Sequence, residues 1–372
     1  METKKTYRIA IIDFDDINNP LLGGGQARAT VEVGKRLARM GHRVTVITSR
    51  YPGSKDRFEN GMLYRHIGLG TNNIRINNFM YIFTLPFALR KLQADIVLEC
   101  FTAPVSTLLT PLWTRIPVIA IPSSFDATRF TRYYHLPFDR VEKFGVRFYK
   151  YFLPFSAAID HQMKKLNPMI TSRIVPDGVD RKYLTIRKQN GQFILYLGRL
   201  ELSQKGIDLL LKAYKRVEKV IGYPLVIVGD GPDKKKVTAL IKTLKLEETV
   251  TLVGHKYGTD KYDLLSKTLF FALPSRAETF CLAALEALAA GLPIVAFDIP
   301  GISWMDDTVA LKAKPYNIAE YASLLKKATN KKLTETMGKR ARRFASSFTW
   351  NHVAKEYDEF IRFVVNKEKK RG

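Results

Sequence analysis

Apolar positions in the first half of the chain alternate between short extended runs and longer helical stretches. The run Tyr7–Phe14 is rich in isoleucine, and Gln26–Met40 has helical composition and is followed by Gly41, a typical helix-ending residue. Strands that alternate with helices predict a parallel sheet with helical crossovers. Further strands are predicted at Arg43–Thr48, Asp95–Leu98, Pro117–Ile121 and Ala157–Asp160.

The second half repeats the alternation more clearly. Its predicted strands are Phe193–Leu197, Leu225–Val228, Val250–Val253, Leu269–Leu273 and Ile294–Phe297. Its predicted helices are Ile207–Val220, Asp233–Leu244, Thr279–Ala290 and Ile318–Ala328. Between the halves, Ile174–Gln192 is polar and rich in turn-forming residues, which indicates a boundary. We therefore predict domains at 1–180 and 181–350, followed by a helix and basic tail at 351–372.

Composition supports a globular enzyme of two domains. The 372 residues exceed what one hydrophobic core usually organises, and 46% hydrophobic with 26% charged residues argues against disorder. Cys100 and Cys281 form neither a metal-ligand spacing nor a disulfide framework, which fits a reducing cytoplasm. We recognise no signal peptide, and no apolar stretch approaches the roughly 20 residues of a transmembrane helix. A cytoplasmic location is expected.

The formal net charge of +25 is spread along the chain. Residues 1–180 contain 25 Lys and Arg against 15 Asp and Glu, and residues 181–372 contain 35 against 20. A basic surface attracts anionic lipids, phosphorylated substrates or nucleic acid. The even spread argues against a single basic tail and is equally consistent with a well-solvated surface.

Three loops carry candidate chemistry. Gly23-Gly24-Gly25-Gln26 follows the first strand, where glycines and free helix N–H groups suit a phosphate, although a tight turn would also explain them. Arg199 and Lys205 follow the first strand of the second half, where cations can neutralise a diphosphate or simply be solvated.

Glu278 follows a later strand, and Glu286 lies eight residues on, about two turns into an apolar helix. Two carboxylates there can accept hydrogen bonds from sugar hydroxyls. Glu278 could instead cap the helix, but Glu286 among alanines and leucines needs a partner.

Together, the segments YLGRL, QKG, VGDGP, VGH, LPSRAETF and LEALAAGLP resemble glycosyltransferase family 4. The resemblance covers nearly the whole chain, from GGGQARATVEVGKRLARMGHRVTVIT through VPDGVD to FTWNHVAKEY. It implies an α/β protein of GT-B fold, with two Rossmann-like domains whose parallel sheets face each other across a cleft. The N-terminal domain would bind the acceptor, the C-terminal domain would bind the nucleotide sugar, and the last helix would return to the first domain.

The resemblance also implies residue roles. Arg199 and Lys205 would stabilise the departing diphosphate, Glu278 would hold the sugar hydroxyls, and Glu286 would hold the ribose. The other implied donor-binding positions are Gly24, Gly25, Gly198, Gly254, His255, Cys281, Leu282 and Ala283. Family members retain the anomeric configuration and work without a metal. No cofactor is therefore expected, only a UDP-, GDP- or ADP-sugar donor and a lipid-linked or saccharide acceptor.

Some positions depart from the family pattern. Many relatives have a histidine after the strand that corresponds to Pro117–Ile121, whereas this chain has Ser123 there, with Asp126 or His135 as possible substitutes in the acceptor region. Cys281 stands where glycine is common. The acidic run Asp13–Asp16 suggests a metal site, but a loop explains it better, and we expect no metal.

A basic and aromatic stretch, 129–155, indicates a surface role. Arg140, Lys143, Arg147 and Lys150 recur at helical spacing. The neighbouring stripe is Val141, Phe144, Phe148 and Tyr151, as in a helix that lies among lipid headgroups or packs its aromatics in the core. We expect a peripheral protein at the inner face of the cell membrane.

Two other classes of function match parts of the sequence. A nucleic-acid binder would use the charge and the aromatic residues, but no recognised motif is present and no nucleic-acid partner is expected. A GT-B scaffold that binds nucleotide without turnover is the alternative that Ser123 raises.

Overall fold

The alternating pattern folds into two parallel sheets, one in each of two units. The computed structural model describes residues 5–102, 109–122, 125 and 127–370. Unit 1 comprises Met1–Asp177 with Trp350–Gly372, and unit 2 comprises Gly178–Thr349.

The strands of unit 1 are β1 (Arg8–Ile12), β2 (Arg43–Ser49), β3 (Arg57–Glu59), β4 (Met62–Ile67), β5 (Ile96–Cys100), β6 (Val118–Ile121), β7 (Tyr151–Phe152) and β8 (Thr171–Ser172). Within the described residues they form one sheet in the order β3-β4-β2-β1-β5-β6-β7-β8, with only β3 and β4 antiparallel. The central strand β1 pairs with β2 and β5, and the side chains of Ile9–Ile12 are buried because helices cover both faces.

The first helices of unit 1 are α1 (Gly25–Arg39), α2 (Ile74–Arg90), α3 (Ala127–Tyr134), α4 (Phe138–Gly145) and α5 (Ala157–Leu166). Helix α5 corrects the predicted strand at Ala157–Asp160. The Ser156 hydroxyl accepts a hydrogen bond from the Ile159 amide and caps this helix. The buried strand in this part of the chain is β7, which ends before Ser156.

The basic stretch also differs from the expected single helix. Helix α4 ends at Gly145, a 3₁₀ turn covers Val146–Phe148, and Lys150 lies beyond both elements. The aromatic residue at the end of the predicted stripe, Tyr151, is buried in β7 because the chain re-enters the sheet there.

The strands of unit 2 are β9 (Phe193–Leu197), β10 (Leu225–Val228), β11 (Val250–Leu252), β12 (Thr268–Leu273), β13 (Ile294–Phe297) and β14 (Ala310–Ala313). Its helices are α6 (Arg181–Leu184), α7 (Leu202–Lys205), α8 (Ile207–Ile221), α9 (Lys234–Thr243), α10 (Gly258–Lys267), α11 (Leu282–Ala289), α12 (Ile318–Lys327) and α13 (Lys331–Ala345). Within the described residues the strand order is β11-β10-β9-β12-β13-β14, and every pair is parallel. Strands β9 and β12 are therefore the switch point, where an open parallel sheet places its ligand crevice.

The last helix, α14 (Trp350–Lys369), belongs to unit 1 and packs against α1. The ring Nε2 of His42 lies 3.0 Å from the Asp358 carboxylate, and the Arg362 guanidinium donates to the carbonyl of Lys5 at 2.7 Å. The Tyr151 hydroxyl donates to Glu368 at 2.6 Å. These contacts fix the last helix to the segments that precede β1 and β2 and to β7.

Candidate active site

The loops after β9 and β12 are fastened to each other at the switch point of unit 2. The guanidinium of Arg276 forms a two-pronged pair with Asp208 at 2.7 and 2.8 Å and donates to the carbonyl of Leu202 at 2.7 Å. Gly206 has φ +62°, and a Cβ there would lie 2.1 Å from the Pro274 carbonyl oxygen. Only glycine fits between the two loops, which positions the side chains that follow.

Lys205 and Glu278 meet at this junction. The Lys205 ammonium donates to both oxygens of Glu278 at 2.8 and 2.9 Å, and the Ser275 hydroxyl donates to Glu278 at 2.6 Å. The Glu278 side chain is only 6% exposed. Burial by itself lowers the pKa of Lys205, but the charge of Glu278, its hydrogen bond and the neighbouring Cys281 together outweigh burial, and the pKa is raised. The structure thus brings two of the predicted site residues into one charged pair.

Arg199 lies on the same loop but does not share this pair. Its Nη2 atom is 2.6 Å from Oε2 of Glu201 and 3.4 Å from the side-chain oxygen of Gln204. The Arg199 side chain is 52% exposed, so its charge faces solvent beside Lys205.

Glu286 has the partner that its apolar helix requires. The Lys261 ammonium on α10 lies 2.5 Å from Oε2 of Glu286, and both side chains are nearly buried. The same ammonium is 5.4 Å from the ring centroid of Tyr183, which packs edge-on against Tyr262. Lys261 and Tyr183 did not emerge from the sequence, because nothing in their local pattern links them to Glu286.

Helix α11 begins with an unusual backbone. Cys281, its N-cap, has φ +69°, a conformation that L-residues other than Asn, Asp and His rarely adopt. Leu282 and Ala283 are the first residues of the helix, where amides lack intrahelical acceptors and favour negative charge. Burial and the charge of Glu278 raise the pKa of the Cys281 thiol to about 12.

The glycine loops after β10 and β11 adjoin the β9 loop. The Gly229 amide donates to the Gly254 carbonyl at 2.8 Å, and a Cβ at Gly229 would lie 2.0 Å from the carbonyl oxygen of Gly198. His255 is exposed beyond Gly254 and stacks on Tyr257 with ring centroids 5.7 Å apart. The predicted donor-binding glycines of unit 2 therefore lie along one edge of the sheet.

The glycine turn of unit 1 already holds a carboxylate. Asp15 accepts hydrogen bonds from the amides of Gly23 and Gly24 at 3.1 and 2.8 Å, directly before α1 begins at Gly25. Burial raises the pKa of Asp15, although both amide hydrogen bonds lower it. The turn is thus an anion-binding turn, and its internal anion was not predicted.

The other acidic residues of this loop have protein partners. Asp16 forms hydrogen bonds with Arg57 at 2.7 and 2.9 Å and lies 3.0 Å from His66, and Asp13 accepts from Thr30 at 2.5 Å. Burial and the neighbouring Asp15 raise the pKa of Asp13 to about 7. Across the described part of the chain, no group of three or more His, Cys, Asp or Glu side chains could hold a metal ion.

The remaining predicted residues lie in unit 1. Ser123 and Asp126 lie outside the described residues. His135 is exposed, with φ +56°, between α3 and α4. Among the four predicted membrane contacts, Arg140, Lys143, Arg147 and Lys150 are all exposed, and Lys150 lies 3.9 Å from Glu368.

Two family models match the chain one after the other. The model of Glycosyltransferase Family 4 matches residues 23–183, and the model of Glycosyl transferases group 1 matches residues 184–344. The chain belongs to glycosyltransferase family 4. The matched ranges contain both the glycine turn of unit 1 and the charged pairs of unit 2.

Curated relatives of this family resemble parts of the chain. An uncharacterised glycosyltransferase of Methanocaldococcus jannaschii is 27% identical over 195 residues, which are 50% of this chain and 53% of that protein. The N-acetylgalactosamine-N,N'-diacetylbacillosaminyl-diphospho-undecaprenol 4-alpha-N-acetylgalactosaminyltransferase of Campylobacter jejuni is 36% identical over 122 residues, 33% of this chain and 32% of that protein. The chain spans about half or less of the length of these relatives.

Solved structures share the fold over nearly the whole chain. Sucrose-phosphate synthase from Thermosynechococcus elongatus has a TM-score of 0.79 at 18% identity, over 97% of this chain and 99% of that one. Anabaena HepE in complex with UDP-glucose has a TM-score of 0.75 at 16% identity, over 96% and 99%. The predicted fold class, two parallel α/β domains of the GT-B type, is confirmed. Among the described residues, no helix combines the length and apolarity that crossing a bilayer requires.

Proposed function

We propose that the chain transfers a sugar, with retention of its anomeric configuration, from a nucleotide diphosphate donor to a lipid-linked or saccharide acceptor. The observation that carries this proposal is the Lys205–Glu278 pair beside the amino end of α11. An ammonium next to a carboxylate offers a cation to a diphosphate and, within 3 Å, an acceptor to sugar hydroxyls. A sugar diphosphate carries both of these groups next to each other.

In the proposed reaction, the bond between the anomeric carbon and the diphosphate oxygen breaks as the acceptor hydroxyl oxygen attacks on the same face. The acceptor proton passes to the leaving diphosphate oxygen. The chain supplies charge rather than acid–base chemistry: Arg199, Lys205 and the amides of Leu282 and Ala283 stabilise the negative charge that develops. These groups take the part that a metal would otherwise have, and we propose that no metal is required.

Other donor contacts follow from the site. Glu286, held by Lys261, would accept hydrogen bonds from the ribose, and the Gly254–His255 segment would contact the base. The Gly24–Gly25 turn of unit 1 is, by our proposal, a separate anion-binding turn that suits a phosphate, because its Gly24 amide already binds the Asp15 carboxylate. UDP-, GDP- and ADP-sugars are the donors to test; HepE, which shares the fold, was solved with UDP-glucose.

We place the acceptor in unit 1, in the region of Ser123, Asp126 and His135. The name of the Campylobacter relative describes a diphospho-undecaprenol acceptor, which supports a lipid-linked substrate. Because Arg140, Lys143 and Arg147 are exposed on one segment of this unit, we propose that the protein works in the cytoplasm, peripherally at the anionic inner face of the cell membrane.

Titration calorimetry with UDP, GDP and ADP tests the proposed donor site. We expect one nucleotide to bind the wild-type protein and the Lys205→Ala variant to lose that binding. Lys215→Ala is the matched control, since Lys215 forms a comparable pair with Glu218 at 2.6 Å on α8. Equal binding by Lys205→Ala and wild type would contradict the site. Binding of a nucleotide without turnover of any donor sugar would instead favour the scaffold alternative.

A further inference from the structure

Helix α2 exposes a stripe of large apolar side chains. Phe79, Phe83 and Phe87 are 59%, 64% and 55% exposed, and Ile76 is 45% exposed. They are spaced three, four and four residues apart, so they lie on one face along the helix axis. Soluble surfaces rarely expose such contiguous apolar patches unless something binds there.

The opposite face of α2 packs into unit 1. Tyr81, Leu85 and Leu89 are buried against the sheet, and the Tyr81 hydroxyl donates to the carbonyl of Ile47 at 3.1 Å. Asn77 and Asn78 are also buried. Helix α2 therefore packs on unit 1 through one face and leaves the phenylalanine stripe on the other.

The apolar surface continues past both ends of the helix. The Arg90 guanidinium lies 5.9 Å from the ring centroid of Trp113, next to the exposed Leu112. At the other end, the Arg75 guanidinium lies 5.9 Å from the ring of Tyr134, which packs edge-on against Phe138 at the start of α4. We call the outer residues Ile76, Phe79, Phe83 and Phe87, with Leu112 and Trp113, the α2 face.

The charges on α2 and its flanking segments have one sign. No Asp or Glu occurs between Glu59 and Asp95, a segment that includes all of α2, whereas Arg75, Arg90 and Lys91 stand at the helix ends. Through Tyr134 and Phe138 the face is continuous with α4, where Arg140 and Lys143 are exposed. An apolar stripe with aromatic residues and cations at both helix ends matches the boundary between acyl chains and anionic headgroups.

We propose that the α2 face inserts into a bilayer of anionic phospholipid, with the α2 axis in the membrane plane. This inference rests on the proposed membrane location and adds the apolar anchor that surface cations by themselves do not supply. Arg75, Arg90 and Lys91 lie at headgroup level, while the three phenylalanines enter the acyl boundary. A lipid-linked acceptor would then reach unit 1 from the bilayer that this unit contacts.

Vesicle flotation of the full chain tests the proposal. The lipids are phosphatidylcholine, with and without phosphatidylglycerol, and the variant is Phe79→Ser/Phe83→Ser/Phe87→Ser. We expect wild type to bind the vesicles that contain phosphatidylglycerol, and the triple variant to bind them at least about 100-fold more weakly. Phe58→Ser is the matched control, because Phe58 is 76% exposed and lies on the edge strand β3 rather than on α2.

A second readout reports insertion itself. A Phe83→Trp variant should show a blue-shifted emission with anionic vesicles and quenching by brominated acyl chains. The proposal is overturned if wild type does not bind these vesicles, or if the triple variant binds them as tightly as wild type. The proposal is also overturned if wild type is a dimer that does not bind vesicles and the triple variant is a monomer. The α2 face would then be the contact surface between two copies of the chain. Nucleotide titration of the triple variant separates these outcomes from failure of the donor site, because it should still bind the nucleotide that wild type binds.

Discussion

The ammonium of Lys261 and the carboxylate of Glu286 lie 2.5 Å apart in unit 2, and neither side chain is more than 13% exposed. Lys261 comes from α10 and Glu286 from α11, so the pair joins two helices on either side of β12 in the chain. Removing one member of such a pair leaves a nearly buried charge without its counterpart. Lys261 therefore holds the Glu286 carboxylate in position.

The first prediction concerns this positioning. If Glu286 holds the ribose, Lys261→Met should weaken binding of the ribonucleotide by about 10-fold, the value of one charge-assisted hydrogen bond. The 2'-deoxy nucleotide, which lacks one ribose hydroxyl, should lose less affinity. Calorimetry with both nucleotides measures the difference, and Lys267→Met is the control because Lys267 pairs with Asp263 on the same helix at 2.8 Å. An equal loss for both nucleotides would show that Lys261 does not act through the ribose 2'-hydroxyl.

The second prediction concerns transfer. Glu278→Gln and Lys205→Ala should each lower kcat by at least about 100-fold, because each removes charge at the place where the donor bond would break. Circular dichroism and thermal melting should show that both variants remain folded. Glu218→Gln, which changes the comparable pair on α8, should leave turnover unchanged. Normal turnover by either site variant would refute the assigned roles.

The third prediction concerns the backbone at Cys281. A β-branched residue fits poorly at φ +69°, so Cys281→Val should lower the free energy of unfolding of unit 2 by about 1–2 kcal/mol. Cys281→Gly should stay within about 1 kcal/mol of wild type, because glycine adopts this conformation freely. Chemical denaturation measures both values. A valine variant as stable as the glycine variant would mean that the turn rearranges.

The fourth prediction concerns a buried acid in unit 1. Glu99 on β5 accepts hydrogen bonds from the hydroxyls of Tyr149 and Thr110 at 2.8 and 2.9 Å. Burial raises the pKa of Glu99 to about 8, although both hydrogen bonds lower it. The folded carboxyl keeps its proton at pH values where the unfolded chain has released it. Its effect on stability is therefore favourable below its ordinary pKa of 4.5 and is lost as the pH rises to about 8.

Glu99→Gln should remove this part of the pH dependence. The free energy of unfolding of wild type should fall by a few kcal/mol more than that of the variant between about pH 5 and pH 8. Thermal melts across this range, with the exposed Glu248→Gln as control, provide the measurement. Parallel pH profiles for wild type and Glu99→Gln would show that Glu99 is ionised throughout.

Much of the fold could be predicted because strands in parallel sheets are short, apolar and separated by helices. Leu225–Val228 and Ile294–Phe297 have the predicted bounds. The strand prediction at Ala157–Asp160 is wrong because a short apolar run has the same pattern in a strand and in the first turn of a helix. The hydroxyl of Ser156 caps the segment and makes it the start of a helix. The edge strand Ala310–Ala313 was missed because its pattern is only partly apolar.

Only the motif residues of the candidate site could be predicted from the sequence; the residues that hold them in place could not. Lys205 and Glu278 stand in loops with a recognisable pattern, but Asp15 and Lys261 act through contacts that no local spacing encodes. The α2 face was missed for a related reason. A stripe at helical spacing is the same in sequence whether it faces the core or the outside, and only the packed opposite face of the helix distinguishes the two.

Because α14 belongs to unit 1, the two units can complete their folding at different times during synthesis. The ribosome completes all of unit 2 before it reaches the partners of Arg36 and His42, which are Asn351 and Asp358. Unit 2 is thus one uninterrupted segment that can fold during translation, whereas unit 1 must wait, with α1 uncovered, until the last helix emerges. A ribosome that stalls after residue 349 would leave a finished unit 2 beside an unfinished unit 1, and chaperones would be needed at that surface.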